Sequence, residues 1–199
     1  MTGYSNIFPF GLHAFLYGNG ELRDLGTLGG ETNWGYGINN AGQVVGGSYT
    51  STGAIHAFFY SDGHMADLGT LPGFDRSVAL AVNNAGQVTG YAANSSFNTL
   101  DAIHGFLYSN GQMTDLGTFG SETRGTSIND AGQVTGFSLT SNAFMSYHAF
   151  LYSDGKMMDL GTLGGFYSAG SDINNAGEVA GSSLNSAAMD VPFSTATGK

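Results

Sequence analysis

The stretch HAFLYGNGELRDLGTLGG, residues 13–30, recurs three times along the chain with few changes. Its copies begin at His56, His104 and His148, so that the spacings are 43, 48 and 44 residues. A second block, INNAGQVVG from Ile38, also has one copy in every unit, always in the same order. Two blocks that recur in fixed order identify the chain as an internal repeat with units of about 45 residues.

Each unit predicts four short strands, which we label b, c, d and a in chain order. Strand b is the aromatic run HAFLY, strand c contains DLGTL, strand d ends at Ile-Asn-Asn, and strand a is Val-Val-Gly or Val-Thr-Gly. Ser-Asp-Gly after strand b and Asn-Asn-Ala-Gly after strand d are turn signals, because Asp, Asn and Gly tolerate positive φ. We therefore predict two hairpins per unit, with both turns at the same end of the strands and the longer connections at the other end.

Four short strands in each unit of about 45 residues predict an all-β fold that is β-propeller-like. Its blades would be four-stranded and antiparallel, and the chain would hold about four and a half repeats. A β-solenoid is the alternative. We expect one repeat domain over residues 1–199. Its units span residues 13–55, 56–103, 104–147 and 148–190, with partial units at 1–12 and 191–199.

The two ends of the chain also match the repeat. The opening MTGYSN aligns with strand a, and VPFSTATGK aligns with strand b, with Phe193 on the central Phe and Gly198-Lys199 on the turn. Counted as blades of strands a-b-c-d, the chain holds four full blades and half of a fifth. Three arrangements stay open: a five-position ring, a piece of a longer array, and a half-blade that pairs with another copy.

Composition excludes several classes of function. The net charge of -10 repels phosphate, so we expect neither nucleic acid nor anionic membranes as partners. Without cysteine there is no disulfide framework, thiolate zinc site or cysteine nucleophile. No apolar run is long enough for a membrane helix, and MTGYSNIFPF lacks the basic and apolar regions of a signal peptide. We expect no metal and no cofactor.

The pattern HAF…Y…G…DLGTLGG…INN.GQVVG resembles the HAF-type extracellular repeat of bacteria over nearly the whole chain. The resemblance implies a secreted or cell-surface protein. It implies no catalytic residues, because that family has no agreed activity.

A histidine and an aspartate eleven residues later recur once in every unit. In a two-residue hairpin centred on Asp62-Gly63, Phe58 faces Asp67 and His56 lies diagonally beside that carboxylate. A device that occurs once per unit is first of all structural, so we predict a buried hydrogen bond that fixes each unit, with a metal or acid–base pair as the alternative. The pairs are His13–Asp24, His56–Asp67, His104–Asp115 and His148–Asp159.

The DLG sequence and the Ser-Asp-Gly turn also have structural interpretations. We expect Leu25, Leu68, Leu116 and Leu160 to fill space between blades, and Gly26, Gly69, Gly117 and Gly161 to let backbones approach closely. At the turn, Asp62 and Asp154 alternate with Asn19 and Asn110. This interchange favours a positive-φ turn over a calcium site, which needs the charge.

The connection after strand c varies most between units and is the best candidate for ligand binding. Aromatic faces next to carboxylates suit carbohydrate, whose C–H faces stack on rings while its hydroxyls need polar partners. The alternative is a set of ordinary exposed loops with Arg–acid pairs. The candidate ligand-binding residues are Glu31, Trp34, Asp75, Arg76, Glu122, Arg124 and Tyr167.

Three functions stay open. The first is a secreted binding module for carbohydrate or protein; the second is a structural protein that self-associates through the terminal half-blade. The third is a hydrolase with an acid pair near the propeller axis, although no catalytic motif is present. Its candidate acids are Glu31, Asp75, Asp101, Glu122, Asp172 and Asp190.

Overall fold

The computed structural model describes residues 1–6, 11–95, 103–141, 146–187 and 189–195. This part of the chain forms 18 β-strands and no helix. Sheet 1 contains β1 (Thr2–Asn6), β2 (Leu12–Gly18) and β3 (Glu21–Asp24). Sheet 2 contains β4 (Gly29–Ile38), β5 (Val44–Thr50), β6 (Ile55–Ser61) and β7 (His64–Asp67). No helix among the described residues could span a bilayer.

The next two sheets repeat the pattern of sheet 2. Sheet 3 contains β8 (Arg76–Val82), β9 (Val88–Ala93), β10 (Ile103–Ser109) and β11 (Gln112–Asp115). Sheet 4 contains β12 (Thr123–Ile128), β13 (Val134–Ser141), β14 (Ser146–Ser153) and β15 (Lys156–Asp159). Sheet 5 contains β16 (Gly164–Ile173), β17 (Val179–Asn185) and β18 (Asp190–Ser194). One parallel bridge, between Tyr147 and Tyr167, joins sheet 5 to sheet 4.

Each complete sheet is an antiparallel meander in the order d-a-b-c. The predicted grouping a-b-c-d is therefore wrong, because the connection after strand c leads to the d strand of the next sheet. The described chain holds three complete sheets and two sheets of three strands, not four full blades and a half. Sheet 1 has strands a, b and c, whereas sheet 5 has strands d, a and b. The predicted alignment of Phe193 with the central Phe of strand b is confirmed, because Phe193 pairs with Gly181 as Phe58 pairs with Gly46. Gly198-Lys199 lies outside the described residues.

The hairpin between strands b and c has the predicted geometry. In sheet 2, Phe58 pairs with Asp67 and Ser61 pairs with His64, which leaves a two-residue loop at Asp62-Gly63. Asp62 has φ 53° and Gly63 has φ 84°, the signature of a type I′ turn, whose twist matches that of the strands. The other b–c turns have the same conformation at Asn19, Asn110 and Asp154.

The core lies between consecutive sheets, since the two faces of each strand b pack in opposite directions. Phe58 is fully buried in a cluster with Ala14 and Leu25 of the preceding unit. Ala57 instead lies in a cluster with Val88 and Phe106 of sheet 3. The predicted role of the DLG leucines between sheets is confirmed at Leu25, Leu68 and Leu116, all of which pack in these clusters.

The DLG glycines do not have the predicted role. A Cβ at Gly26, Gly69, Gly117 or Gly161 would meet no atom within 4 Å, so close backbone approach is not their reason. Each has a φ between 69° and 84°, which only glycine adopts without strain. Close approach is found instead in strand a, where a Cβ at Gly46 would collide with the Trp34 carbonyl oxygen.

Candidate functional site

The four His–Asp hydrogen bonds are present, but at the surface. Each His Nδ1 lies 2.6–2.9 Å from a carboxylate oxygen of its Asp, and a carboxylate can only accept, so Nδ1 carries the proton. The aspartate side chains are 43–48% exposed, which corrects the prediction of a buried pair. They are exposed because strand c is the outermost strand of its sheet, and no other strand of the described residues pairs with its outer edge.

Most of the residues predicted in variable loops lie on d strands, and the rest lie next to them. Glu31 and Trp34 belong to β4, and Arg76, Arg124 and Tyr167 belong to β8, β12 and β16. Asp75 and Glu122 immediately precede β8 and β12. The interpretation of these segments as loops is wrong, because their backbones pair with strand a. Side-chain burial also alternates along much of β4 and β8, as expected for strands. The seven candidate residues fall into three groups.

The first group is centred on Trp34. Its ring lies 5.8 Å from the ring of Tyr49, with the planes tilted by 53°. Exposed Glu31 lines a neighbouring depression of about 430 Å³ together with Tyr49. This group offers an aromatic pair and one carboxylate.

The second group contains Asp75 and Arg76, which line a depression of about 360 Å³ with Tyr49 and Ser95. The Asp75 carboxylate accepts hydrogen bonds from the hydroxyl and the backbone N–H of Ser95. The hydroxyl bond is the main reason why the pKa of Asp75 lies below its ordinary value. Asp75 therefore serves to hold the segment around Ser95 against the start of β8.

The third group contains Glu122 and Arg124, which form an ion pair. Arg124 Nε donates to Glu122 Oε1 at 2.8 Å, and the Tyr147 hydroxyl donates to Glu122 Oε2 at 2.8 Å. The side chains of Arg124 and Glu122 are 33% and 20% exposed. Both oxygens of this carboxylate are thus engaged, although the pair remains accessible to solvent.

Aromatic rings surround this ion pair. The Arg124 guanidinium lies 4.6 Å from the centre of the Tyr91 ring, within cation–π distance. Tyr147 lies 5.5 Å from Phe137 and 6.2 Å from Tyr167, both edge to face. Burial and the bond to Glu122 raise the pKa of Tyr147 to about 12, so its hydroxyl stays protonated at neutral pH. We call Glu122, Arg124, Tyr91, Phe137, Tyr147 and Tyr167 the aromatic–acid cluster.

Sequence reasoning found half of the aromatic–acid cluster and missed Tyr91, Phe137 and Tyr147. A signal for Tyr147 existed, because the residue before the repeat histidine is Leu12, Ile55 or Ile103 in the other units. An aromatic residue at a position that is otherwise aliphatic breaks the repeat. By contrast, no sequence pattern predicted that Arg124 of sheet 4 would contact Tyr91 of sheet 3.

A second concave site lies where the four d–a turns meet. Its volume is about 400 Å³ and its lining is mainly polar. Backbone N–H groups point around it in one direction: Asn40 N–H donates to Asn84 Oδ1 at 3.1 Å and Asn84 N–H donates to Asp130 Oδ1 at 2.9 Å. Asp130 N–H in turn donates to Asn175 Oδ1 at 2.9 Å. We call this the turn depression.

Asp130 is the one acid among these four equivalent positions. The backbone N–H and the side-chain amide of Asn84 donate to its carboxylate, as does the amide of Asn175. These bonds favour the ionised form and hold the pKa of Asp130 below its ordinary value. The sequence shows this difference, because the other three units have Asn-Asn where residues 129–130 are Asn-Asp. The sequence analysis interpreted the segment only as a turn and did not identify Asp130 as a candidate site residue.

The acids considered for hydrolysis that the structure describes lie on or beside different strands, and two of them bond to non-acidic partners: Asp75 to Ser95, and Glu122 to Arg124 and Tyr147. Asp101 lies outside the described residues. Asp172 accepts from the Ser127 hydroxyl at 2.6 Å, and Asp190 lies on strand β18. Among the residues that the structure describes, no group of three or more His, Asp or Glu side chains could hold a metal ion.

Comparison with family models gives no match to this chain, and comparison with curated proteins gives no significant relative.

Proposed function

We propose that the chain is a β-propeller that acts as a binding module, with a carbohydrate ligand held at the aromatic–acid cluster. The propeller architecture is supported by three features of the sheets. They are antiparallel d-a-b-c meanders, each strand c leads to strand d of the next sheet, and the four d–a turns surround one depression. Strand d would then be the inner strand of each blade.

The single observation that carries the proposed ligand class is the set of rings around the Glu122–Arg124 pair. Partly exposed tyrosines offer faces on which the C–H groups of a sugar ring stack. The Arg124 N–H groups and the Tyr147 hydroxyl, held in place by one carboxylate, offer hydrogen bonds to sugar hydroxyls. A site in which polar groups are already oriented loses little conformational freedom on binding.

Location outside the cell belongs to the same proposal. It is supported by the resemblance of the HAF and DLGTLGG blocks to bacterial extracellular repeats.

The test is a broad glycan array followed by isothermal titration calorimetry with any glycan that binds. Tyr167→Ala removes one ring, and we expect it to weaken binding about tenfold or more. Tyr147→Phe keeps the ring but loses the bond to Glu122, and we expect a weakening of about fivefold. Tyr17→Ala is the matched control, because Tyr17 is an exposed tyrosine on β2 of sheet 1.

Two results would contradict the proposal. One is that no glycan on the array binds the protein, although its circular dichroism spectrum is that of the folded state. The other is turnover of chromogenic glycosides that Glu122→Gln abolishes, which would assign the cluster to a hydrolase.

A further inference from the structure

A β-bulge occurs at the same point of all four d strands. In β4 the register shifts between Gly35 and Gly37, so Tyr36 is the extra residue and has no partner on strand a. The same shift occurs in β8, β12 and β16. This position is exposed or only partly buried in every unit, so its accessibility is a property of the repeat. The four bulged residues are Tyr36, Leu80, Thr126 and Ser171.

The d strands contact one another, and this brings the bulges onto one surface. A Cβ at Gly37 would lie 2.9 Å from the carbonyl oxygen of Leu80 on the next d strand. Strand β8 in turn contacts β12 in the hydrophobic core. The Thr126 hydroxyl then donates to the Gly170 carbonyl of β16 at 2.7 Å. Tyr36, which is 49% exposed, is the one aromatic residue among the four bulges.

Tyr36 extends the rings of the aromatic–acid cluster toward sheet 2. Its strand β4 lies against β8, and Val78 of β8 pairs with Tyr91 of the cluster. Partial burial raises the pKa of Tyr36 above its ordinary value, and the neighbouring Tyr91 phenol raises it further. The other side of Tyr91 is occupied by the Arg124 guanidinium, 4.6 Å from the ring centre. Tyr91 therefore connects Tyr36 to the cluster.

The resulting row of rings is longer than one sugar. It begins beside Glu122, which precedes β12, and it ends near the turn depression, whose lining includes Ile38 of the same strand as Tyr36. Glu122 and Thr126, the equivalent of Tyr36, are separated by roughly 13 Å at the rise of a β-strand. A single sugar ring on the aromatic–acid cluster therefore does not reach Tyr36, whereas a linear chain of sugars does.

The charges along the row favour an uncharged ligand. The Arg124 guanidinium is already paired with Glu122. At the other end lie Asp130, whose lowered pKa keeps it ionised at neutral pH, and the exposed Asp172, one residue after the bulge of β16. The whole chain carries a net charge of -10. Sugars with carboxylate or sulfate groups would therefore be repelled.

We propose that the chain binds a linear, uncharged oligosaccharide of about three or more units, which extends from the aromatic–acid cluster past Tyr91 to stack on Tyr36. This inference rests on the proposed function, because it takes the aromatic–acid cluster as the first contact with the sugar. It adds Tyr36 as the residue that selects for ligand length.

The probes are the disaccharides and pentasaccharides of cellulose, xylan, laminarin and chitin, titrated into the full chain in a calorimeter. At least one pentasaccharide should bind about tenfold or more tightly than its own disaccharide, because it covers more ring faces. The pentamer of galacturonic acid should bind at least about tenfold more weakly than that neutral pentasaccharide, because its carboxylates meet an acidic surface.

Two variants assign the gain in affinity to Tyr36. We expect Tyr36→Ala to weaken pentasaccharide binding about tenfold and to leave disaccharide affinity within about twofold, whereas Tyr36→Phe keeps the ring and both affinities. Tyr17→Ala is the matched control, because Tyr17 is 47% exposed and lies on sheet 1. Tyr167→Ala should weaken both ligands, since Tyr167 belongs to the first contact. Melting temperatures check that each variant folds.

The outcomes separate this inference from the proposed function. Equal affinities for disaccharide and pentasaccharide, or a pentasaccharide affinity that Tyr36→Ala leaves unchanged, would overturn the extended site and leave glycan binding at the cluster intact. Tighter binding of the galacturonic acid pentamer would overturn the uncharged ligand class. Failure of every neutral glycan to bind at either length would contradict both proposals.

Discussion

The Asp67 carboxylate joins His56 to the turn after strand c. His56 Nδ1 donates to it at 2.9 Å, and Gly69 N–H donates to its other oxygen at 2.7 Å. The Asp67 side chain thus links strand b to the turn after strand c, where Gly69 has a φ of 69°. The same three-residue arrangement recurs in every unit, at Gly26, Gly117 and Gly161.

Removal of either partner should therefore destabilise the chain modestly. We expect His56→Ala to lower the free energy of unfolding by about 1 kcal/mol, since the pair is half-exposed and solvent screens it. In a domain of this size, that loss corresponds to about 2–4 °C in melting temperature. Differential scanning calorimetry is the measurement.

Asp67→Asn is the informative companion to this variant. The amide oxygen can still accept from His56 or Gly69, so we expect a smaller loss than for Asp67→Ala. A His56→Ala variant with wild-type stability and no glycan binding would show that the pair serves the ligand and not the fold.

Two glycines of the same unit should respond very differently to alanine. A Cβ at Gly90 would collide with the Val78 carbonyl, which is part of a strand pair and cannot move away alone. We expect Gly90→Ala to cost roughly 3 kcal/mol, the upper range for overpacking a core. A Cβ at Gly69 meets open space, so Gly69→Ala should cost only about 1–2 kcal/mol, for the positive φ.

Urea denaturation of both variants measures this difference. Equal losses would contradict the assignment of close approach to strand a and of backbone conformation to the DLG turn.

The Asp130 carboxylate should make stability depend on acid pH. Its pKa in the folded chain is held below the ordinary 3.8, chiefly by the Asn84 backbone N–H and side-chain amide. The stabilisation is thus fully present above about pH 4 and is lost as the pH falls through the lowered pKa. Asp130→Asn should flatten the dependence of unfolding free energy on pH in that range.

Urea denaturation at a series of pH values from about 2 to 6 gives the two slopes. Asn84→Ala removes the side-chain donor but keeps the backbone N–H, so its slope should lie between those of wild type and Asp130→Asn. Identical slopes in wild type and Asp130→Asn would contradict the prediction.

The local structure of this protein is determined by the sequence over short distances. The type I′ turn at Asp62-Gly63 and the register that sets Phe58 opposite Asp67 follow from residues less than ten positions apart. The His–Asp spacing of eleven residues likewise follows from one hairpin. Such features depend on φ preferences and on the two-residue period of a strand, and both can be read from consecutive residues.

Tertiary structure alone decided which strands share a sheet and which side chains share a site. Strand d pairs with the following strand a and not with the preceding strand c, because burial of both sheet faces requires the chain to cross to the next sheet. The meeting of Arg124 with Tyr91, and of Asp130 with Asn84 and Asn175, depends on this packing between sheets. Residues more than thirty positions apart come together only through it, and no local preference encodes such contacts.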